Sequence, residues 1–130
     1  MNKNIKNDIT INVDPVYLED ESEPEEDYFL WAYTINILNK SKEPIQLRSR
    51  YWRITDSQGI IHEVSGEGVV GEQPILNPGE SYEYTSGVPL TTPSGIMVGA
   101  YMMENDMGES FIVDIPPFSL DSPFDLHQIH

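Results

Sequence analysis

The sequence predicts an all-β fold, an antiparallel sandwich of about seven strands in the immunoglobulin and fibronectin type III manner. Three observations carry this expectation. Apolar residues alternate with polar ones over short runs, the two-residue period of half-buried strands. Turn-forming residues punctuate those runs at near-regular intervals. No segment shows a helical apolar stripe bounded by caps.

The elements follow in order. Ile9, Ile11 and Val13 alternate with Thr10, Asn12 and Asp14, giving a first strand. From Glu19 to Asp27 the chain is almost entirely acidic. Like charges this dense repel one another and bury nothing, so a solvated loop is expected. Tyr28 to Asn39 is long and rich in aromatic and β-branched residues, with Phe29, Trp31, Tyr33, Ile35 and Ile37 on one face of a central strand. Asn39 to Pro44 makes the next turn, and Ile45 to Thr55 the next strand. Asp56-Ser57-Gln58-Gly59 reads as a hairpin turn into Ile60 to Val64. A glycine-bearing stretch, Gly66 to Gly71, and a turn at Asn77-Pro78-Gly79 lead to a short strand at Tyr82 to Thr85. Gly95 to Glu104 and Ser110 to Ile115 pair across Asn105 to Gly108. Pro116-Pro117 is expected to end regular pairing, because proline cannot donate to a ladder.

A chain of 130 residues fits one domain, read here as residues 1–130 with an acidic loop at 19–27 and a peripheral tail at 120–130. There is no cysteine, so disulfides, thiolate metal sites and thiol nucleophiles are excluded and the fold must rest on packing. With 22 acidic against 7 basic residues, the formal charge of −15 repels phosphate backbones, and nucleic-acid binding is not expected. Residues 1–7 lack the apolar stretch of a signal peptide, and no run reaches the roughly 18 apolar residues of a spanning helix. A cytoplasmic location without membrane insertion is therefore expected.

The glycine cluster matches G-x-G-x-x-G through Gly66, Gly68 and Gly71. In a dinucleotide fold such glycines lead into a helix whose N-terminus holds the pyrophosphate. Here Pro74, Pro78 and Gly79 leave no room for that helix. Backbone amides in a glycine loop can still form an anion-binding concavity. The hairpin register places Arg48 opposite Glu67 or Gly68, and Arg50 opposite Ser65 or Gly66, offering a phosphate a bidentate partner. The competing reading is structural: the glycines form a bulge or crossover, and the arginines pair with Glu67 and Glu72.

Other chemistry has less support. His127 and His130 are too sparse for a zinc site, and the Glu19–Asp27 run lacks calcium-loop spacing, so no metal site is expected. His62 stands on a strand opposite Arg53 or thereabouts, and no serine has a nucleophile setting. No catalytic residue and no resident cofactor is assigned. Trp52, mid-strand, suits the place of the buried tryptophan of immunoglobulin-like sandwiches.

From Arg50-Tyr51-Trp52-Arg53-Ile54-Thr55-Asp56 onward the chain resembles the ApaG family. The resemblance runs through Val64 to Pro74, Leu76 to Glu80 and Tyr82 to Gly87. It extends upstream to Phe29–Leu38 and downstream to Asp114–Leu120. It implies a fibronectin-type-III-like sandwich without established enzymatic activity. Family members are associated with cobalt resistance and magnesium efflux, and the gene often lies beside that of a diadenosine-tetraphosphate hydrolase. Similar domains in eukaryotic F-box and polymerase-interacting proteins serve protein recognition. Nucleotide or pyrophosphate binding has been suggested for the loop that corresponds to Gly66, Gly68 and Gly71. A chain without a membrane segment is no transporter, so any part in efflux is indirect.

Two functions follow as expectations. The first is a non-enzymatic interaction module for an unidentified protein partner, with an exposed apolar and aromatic patch on one sheet. Tyr17, Tyr33, Tyr51, Tyr82 and Tyr84 are its candidates. The second is a binder of a small anionic ligand, pyrophosphate or a dinucleoside polyphosphate, through Gly66–Gly71 with Arg48 and Arg50. The oligomeric state is not legible in the sequence.

Overall fold

The computed structural model describes residues 5–124. Eight strands run in chain order: β1 (Ile9–Tyr17), β2 (Phe29–Asn39), β3 (Ile45–Asp56), β4 (Ile61–Glu67), β5 (Ile75–Leu76), β6 (Ser81–Leu90), β7 (Gly95–Asn105) and β8 (Ser110–Leu120). They form two antiparallel sheets, one ordered β1-β2-β6 and the other β4-β3-β7-β8, with the two-residue β5 also paired to β3. This is a fibronectin-type-III-like sandwich. No helix among the described residues is long and apolar enough to cross a membrane.

Strict alternation builds the core. Every odd residue of β2 from Phe29 to Asn39 is buried, and Trp31, Ile35 and Ile37 are almost wholly so. They meet Leu47, Trp52, Met97, Tyr101, Met103 and Ile115 of the facing sheet. Apolar burial contributes about 25 cal/mol per Å², so this interlayer supplies the main driving force in a chain without cross-links. Asn39 is the exception that proves satisfiable. Fully buried, it donates from Nδ2 to the carbonyls of Glu43 and Leu76, and its Oδ1 accepts from the amide and hydroxyl of Ser41. It thereby ties the β2–β3 turn to β5.

Three features differ from the sequence reading. Pairing does not stop at Pro116-Pro117: after a bulge between Met97 and Gly99, β8 resumes with Phe118 opposite Met97 and continues to Leu120. The strand expected at Tyr82–Thr85 runs ten residues, with Pro89 tolerated because β6 is an edge strand. The acidic run is not simply a solvated loop. It forms two short 3-10 turns pinned by the buried Ser22, whose hydroxyl donates to the Leu18 carbonyl and accepts from the Leu30 amide. Its seven carboxylate side chains remain exposed.

The two long sides of the sandwich are unequal. β1 packs along β8 and closes one side. On the other side the larger sheet extends one strand further, and β4 has no strand lying over its inner face.

Candidate functional site

The open side forms a cleft of ≈430 Å³ between the free edges of β4 and β6. Its floor is Trp52, Ile54 and Met97 of the larger sheet with Tyr33 of the smaller. β6 contributes Ser86 to Leu90, and β4 contributes His62 and Val64, which register pairs with Ile54 and Trp52. Tyr28 stands at the end where β2 begins.

A β-bulge decides which side chains point into this cleft. The pairing of β3 with β7 slips between Leu47 and Ser49, so Arg48 is an extra residue and the inward parity changes from odd to even. Ile45 and Leu47 face the core before it; Arg50, Trp52 and Ile54 face inward after it. The extra residue thus turns an arginine into the interlayer, a re-aiming typical of bulges. Arg50 stands opposite Gly66, within the predicted register, and its guanidinium lies over that glycine, where an added Cβ would come within 3.1 Å of Nη2.

The pairing of arginines with Glu67 and Glu72 carboxylates is corrected by the structure. Arg50 Nη1 donates to the carbonyl oxygens of Glu67 (3.1 Å) and Gly68 (2.8 Å). Arg48 Nη1 donates to Gln46 Oε1, and Glu72 Oε1 accepts from the Tyr82 hydroxyl. Among the described residues no carboxylate forms an ion pair with either arginine; His62 Nε2 lies 3.6 Å from Asp56 Oδ2. Beside Arg50 lie three phenols. Burial pushes Tyr33, Tyr84 and Tyr101 above their ordinary value of 10.0, and the arginine's charge opposes each rise. The Tyr84 and Tyr101 hydroxyls bond each other in the interior.

The glycine loop is a tight hairpin. Val69 and Glu72 exchange both backbone hydrogen bonds, at 2.8 and 2.9 Å, around Val70 and Gly71. Both central residues have positive φ, 43° and 83°, the signature of a type I′ turn. Gly68, at φ 66°, abuts the Glu72 carbonyl so closely that no side chain fits, and its amide donates to the Arg48 carbonyl. The amides of Gly68, Val69 and Glu72 are therefore engaged within the protein. Gly66 and Arg50 are in contact, Gly68 lies beside Arg48, and Gly71 is at the exposed tip.

The other expected features are scattered. Of the five candidate tyrosines, Tyr33 and Tyr84 are core and Tyr17 and Tyr82 pack against it. Tyr51 is exposed, with its hydroxyl on Glu63. On the same outer face of the larger sheet Ile61, Ile96 and Ile112 are each more than half exposed. His62 pairs across from Ile54, one residue from Arg53 and within the expected register. His127 and His130 lie outside the described residues. Among the described residues no group of three or more His, Asp or Glu is placed to hold a metal ion. The described part of the tail docks through the Asp121 carbonyl, which accepts from Trp31 Nε1, the Ser122 hydroxyl, which donates to Pro93, and the Phe124 ring, which packs on Tyr17 and Phe29.

Residues 19–105 match the family model described as the ApaG domain, two thirds of the chain. The chain belongs to the ApaG family. Among curated relatives, Protein ApaG of Parvibaculum lavamentivorans is 61% identical over 122 residues, covering 94% of each chain. Protein ApaG of Brucella anthropi is 60% identical over 115 residues, 88% of each. The crystal structure of a Bordetella pertussis protein described as ApaA superposes with a TM-score of 0.87 at 45% identity, covering 91% of this chain and 96% of that one. An Archaeoglobus fulgidus protein at 8% identity and a TM-score of 0.54 shares the fold alone.

Sequence reasoning missed the cleft residues Val64, Ser86, Val88 and Leu90. A signal was present: Leu47 and Trp52 are both large apolar residues yet five apart, a parity break that announces the bulge. Which strand lies uncovered, by contrast, depends on sheet order, and no local pattern encodes it.

Proposed function

We propose that this ApaG domain is a non-enzymatic interaction module whose partner binds in the cleft between β4 and β6. The observation that carries the reading is the uncovered inner face of β4. Val64 is 45% exposed beside the buried Trp52, on a side of the sandwich with two free edge strands. Exposed apolar surface joined to free edges is what strand-adding recognition uses. The link to cobalt resistance and magnesium efflux is part of this reading and runs through that partner.

The test is a photo-crosslinking amino acid placed at Val64, with a second protein carrying it at Thr10 on the outer face of the smaller sheet. Discrete protein adducts from position 64 that are absent from position 10 are expected. Equal labelling from both positions would overturn the assignment.

A second reading is favoured by Arg50, a cation met by carbonyls rather than carboxylates. In it, pyrophosphate or a dinucleoside polyphosphate binds at Gly66, Gly68 and Gly71 with Arg48 and Arg50. Saturable amide shifts confined to residues 66–71 on adding inorganic pyrophosphate at physiological salt would support it, and unchanged spectra would end it.

A further inference from the structure

The cleft is electrically unlike the molecule that contains it. The chain carries 22 acidic residues and a formal charge of −15, yet no aspartate or glutamate lines the cleft, and Arg50 does. Arg50 spends Nη1 on two carbonyls, while its Nε and Nη2 groups donate to no described residue. A guanidinium fork with free donors, set at the end of an apolar cleft, suits one carboxylate.

The opposite end has the opposite charge. Leu90 pairs with Phe29, and the preceding residue, Tyr28, lines the cleft. Tyr28 exchanges backbone hydrogen bonds with Glu23, at 2.8 and 3.0 Å, and so joins the cleft directly to the Glu19–Asp27 turns. Those turns present seven exposed carboxylates, with Glu23 bonded directly to the cleft-lining Tyr28. Between the two ends the floor is apolar. Arg50 and Ile54 are four residues apart on β3, about 13 Å at roughly 3.3 Å per residue. On that floor Trp52 is 3% exposed, and its indole Nε1 is buried without a hydrogen-bond partner.

We propose that the cleft receives an extended segment of a partner protein with a fixed order of charge. An acidic side chain meets Arg50, apolar side chains two and four residues along lie against Val64 and His62, the β4 partners of Trp52 and Ile54, and lysines or arginines beyond them meet the Glu19–Asp27 turns. The two-residue period of an extended strand places those three inward side chains about 6.6 Å apart, matching the spacing of Arg50, Trp52 and Ile54. The segment supplies the strand that the smaller sheet lacks over β4. This inference rests on the cleft being the recognition surface and adds what the cleft recognises.

The experiment uses the full chain and a capped, fluorescein-labelled octapeptide probe of sequence ETVTLTKK, read by fluorescence polarisation at 0.15 M salt. Saturable binding is expected. Replacing the probe's glutamate by glutamine weakens it at least fivefold, and replacing both lysines by glutamate weakens it at least tenfold. In the protein, Val64→Glu abolishes binding, while Thr10→Glu on the far face leaves it unchanged; thermal melts confirm that both variants fold. The probe substitutions leave the protein untouched, so their result does not depend on any variant folding. If the glutamine and reversed-charge probes bind as well as the parent, or if the parent probe does not bind, the charge-ordered segment is overturned while adducts at Val64 would still stand. If the probe binds equally to Val64→Glu, the cleft itself is overturned.

Discussion

Val70 sits at the tip of the glycine hairpin with φ 43° and 55% of its surface exposed. A β-branched residue in the left-handed region costs roughly 1–2 kcal/mol, and here no burial repays it. Val70→Gly is therefore expected to raise stability by about 1 kcal/mol in urea unfolding; an unchanged or lowered midpoint would show that the turn relaxes in solution. Gly99 makes the opposite demand. An added Cβ there would strike the Trp52 ring and the Tyr51 carbonyl, closer than real Cβ atoms approach. Gly99→Ala is expected to cost about 1–3 kcal/mol as overpacking, and because the displaced ring floors the cleft, tryptophan fluorescence should shift in the folded variant. The glycines legible in the sequence as a motif thus differ in their work. Gly66 makes room for a guanidinium and Gly68 for a carbonyl, while an added side chain at Gly71 would meet nothing and only its φ of 83° calls for glycine.

At the scale of elements, the Asn39 hub decides whether the β2–β3 turn and β5 stay docked. Asn39→Ala would take the acceptor from the buried Ser41 amide and the Nδ2 donor from the Leu76 carbonyl, while the Ser41 hydroxyl keeps its bond to the Glu43 carbonyl. Leaving a buried group unpaired costs about 1–3 kcal/mol, so a loss of about 2–4 kcal/mol is expected in denaturant titration. The strands themselves were largely legible. The alternation in β2 is complete, and the Asp56–Gly59 hairpin set the β3–β4 register closely enough to place Arg50 against Gly66. What sequence could not supply was pairing across long separations. β5 is two residues long and takes its place from β3, from Asn39 and from the burial of Leu76 in the core. β8 passes two prolines because they form the bulge itself, two residues of β8 against Val98 of β7, where the ladder is already interrupted and no donor is required. Proximity in register suggests arginine–glutamate pairs, but backbone carbonyls of the tight turn reach Arg50 first.

The whole molecule carries two consequences. Tyr84 and Tyr101 are held neutral by burial, their folded values raised above the 10.0 of an unfolded phenol. A raised value means that their contribution is fully present below pH 10 and is lost as pH climbs from there through the folded values, since only the unfolded chain can ionise first. Unfolding free energy should accordingly fall with pH above about 10, more gently in a Tyr84→Phe, Tyr101→Phe double variant; equal slopes would mean that other groups govern alkaline unfolding. The second consequence concerns recognition. The sandwich closes along β1 and β8 and stays open along β4 and β6, and the cleft on that open side is lined by Arg50 and by no carboxylate. The most direct test compares partner recovery by the wild-type chain with recovery by Val64→Glu in the cleft and Ile112→Glu on the outer face of the larger sheet. Loss with Val64→Glu and retention with Ile112→Glu is the predicted result. Retention with Val64→Glu and loss with Ile112→Glu would place the partner on the outer face and contradict the assignment of the cleft.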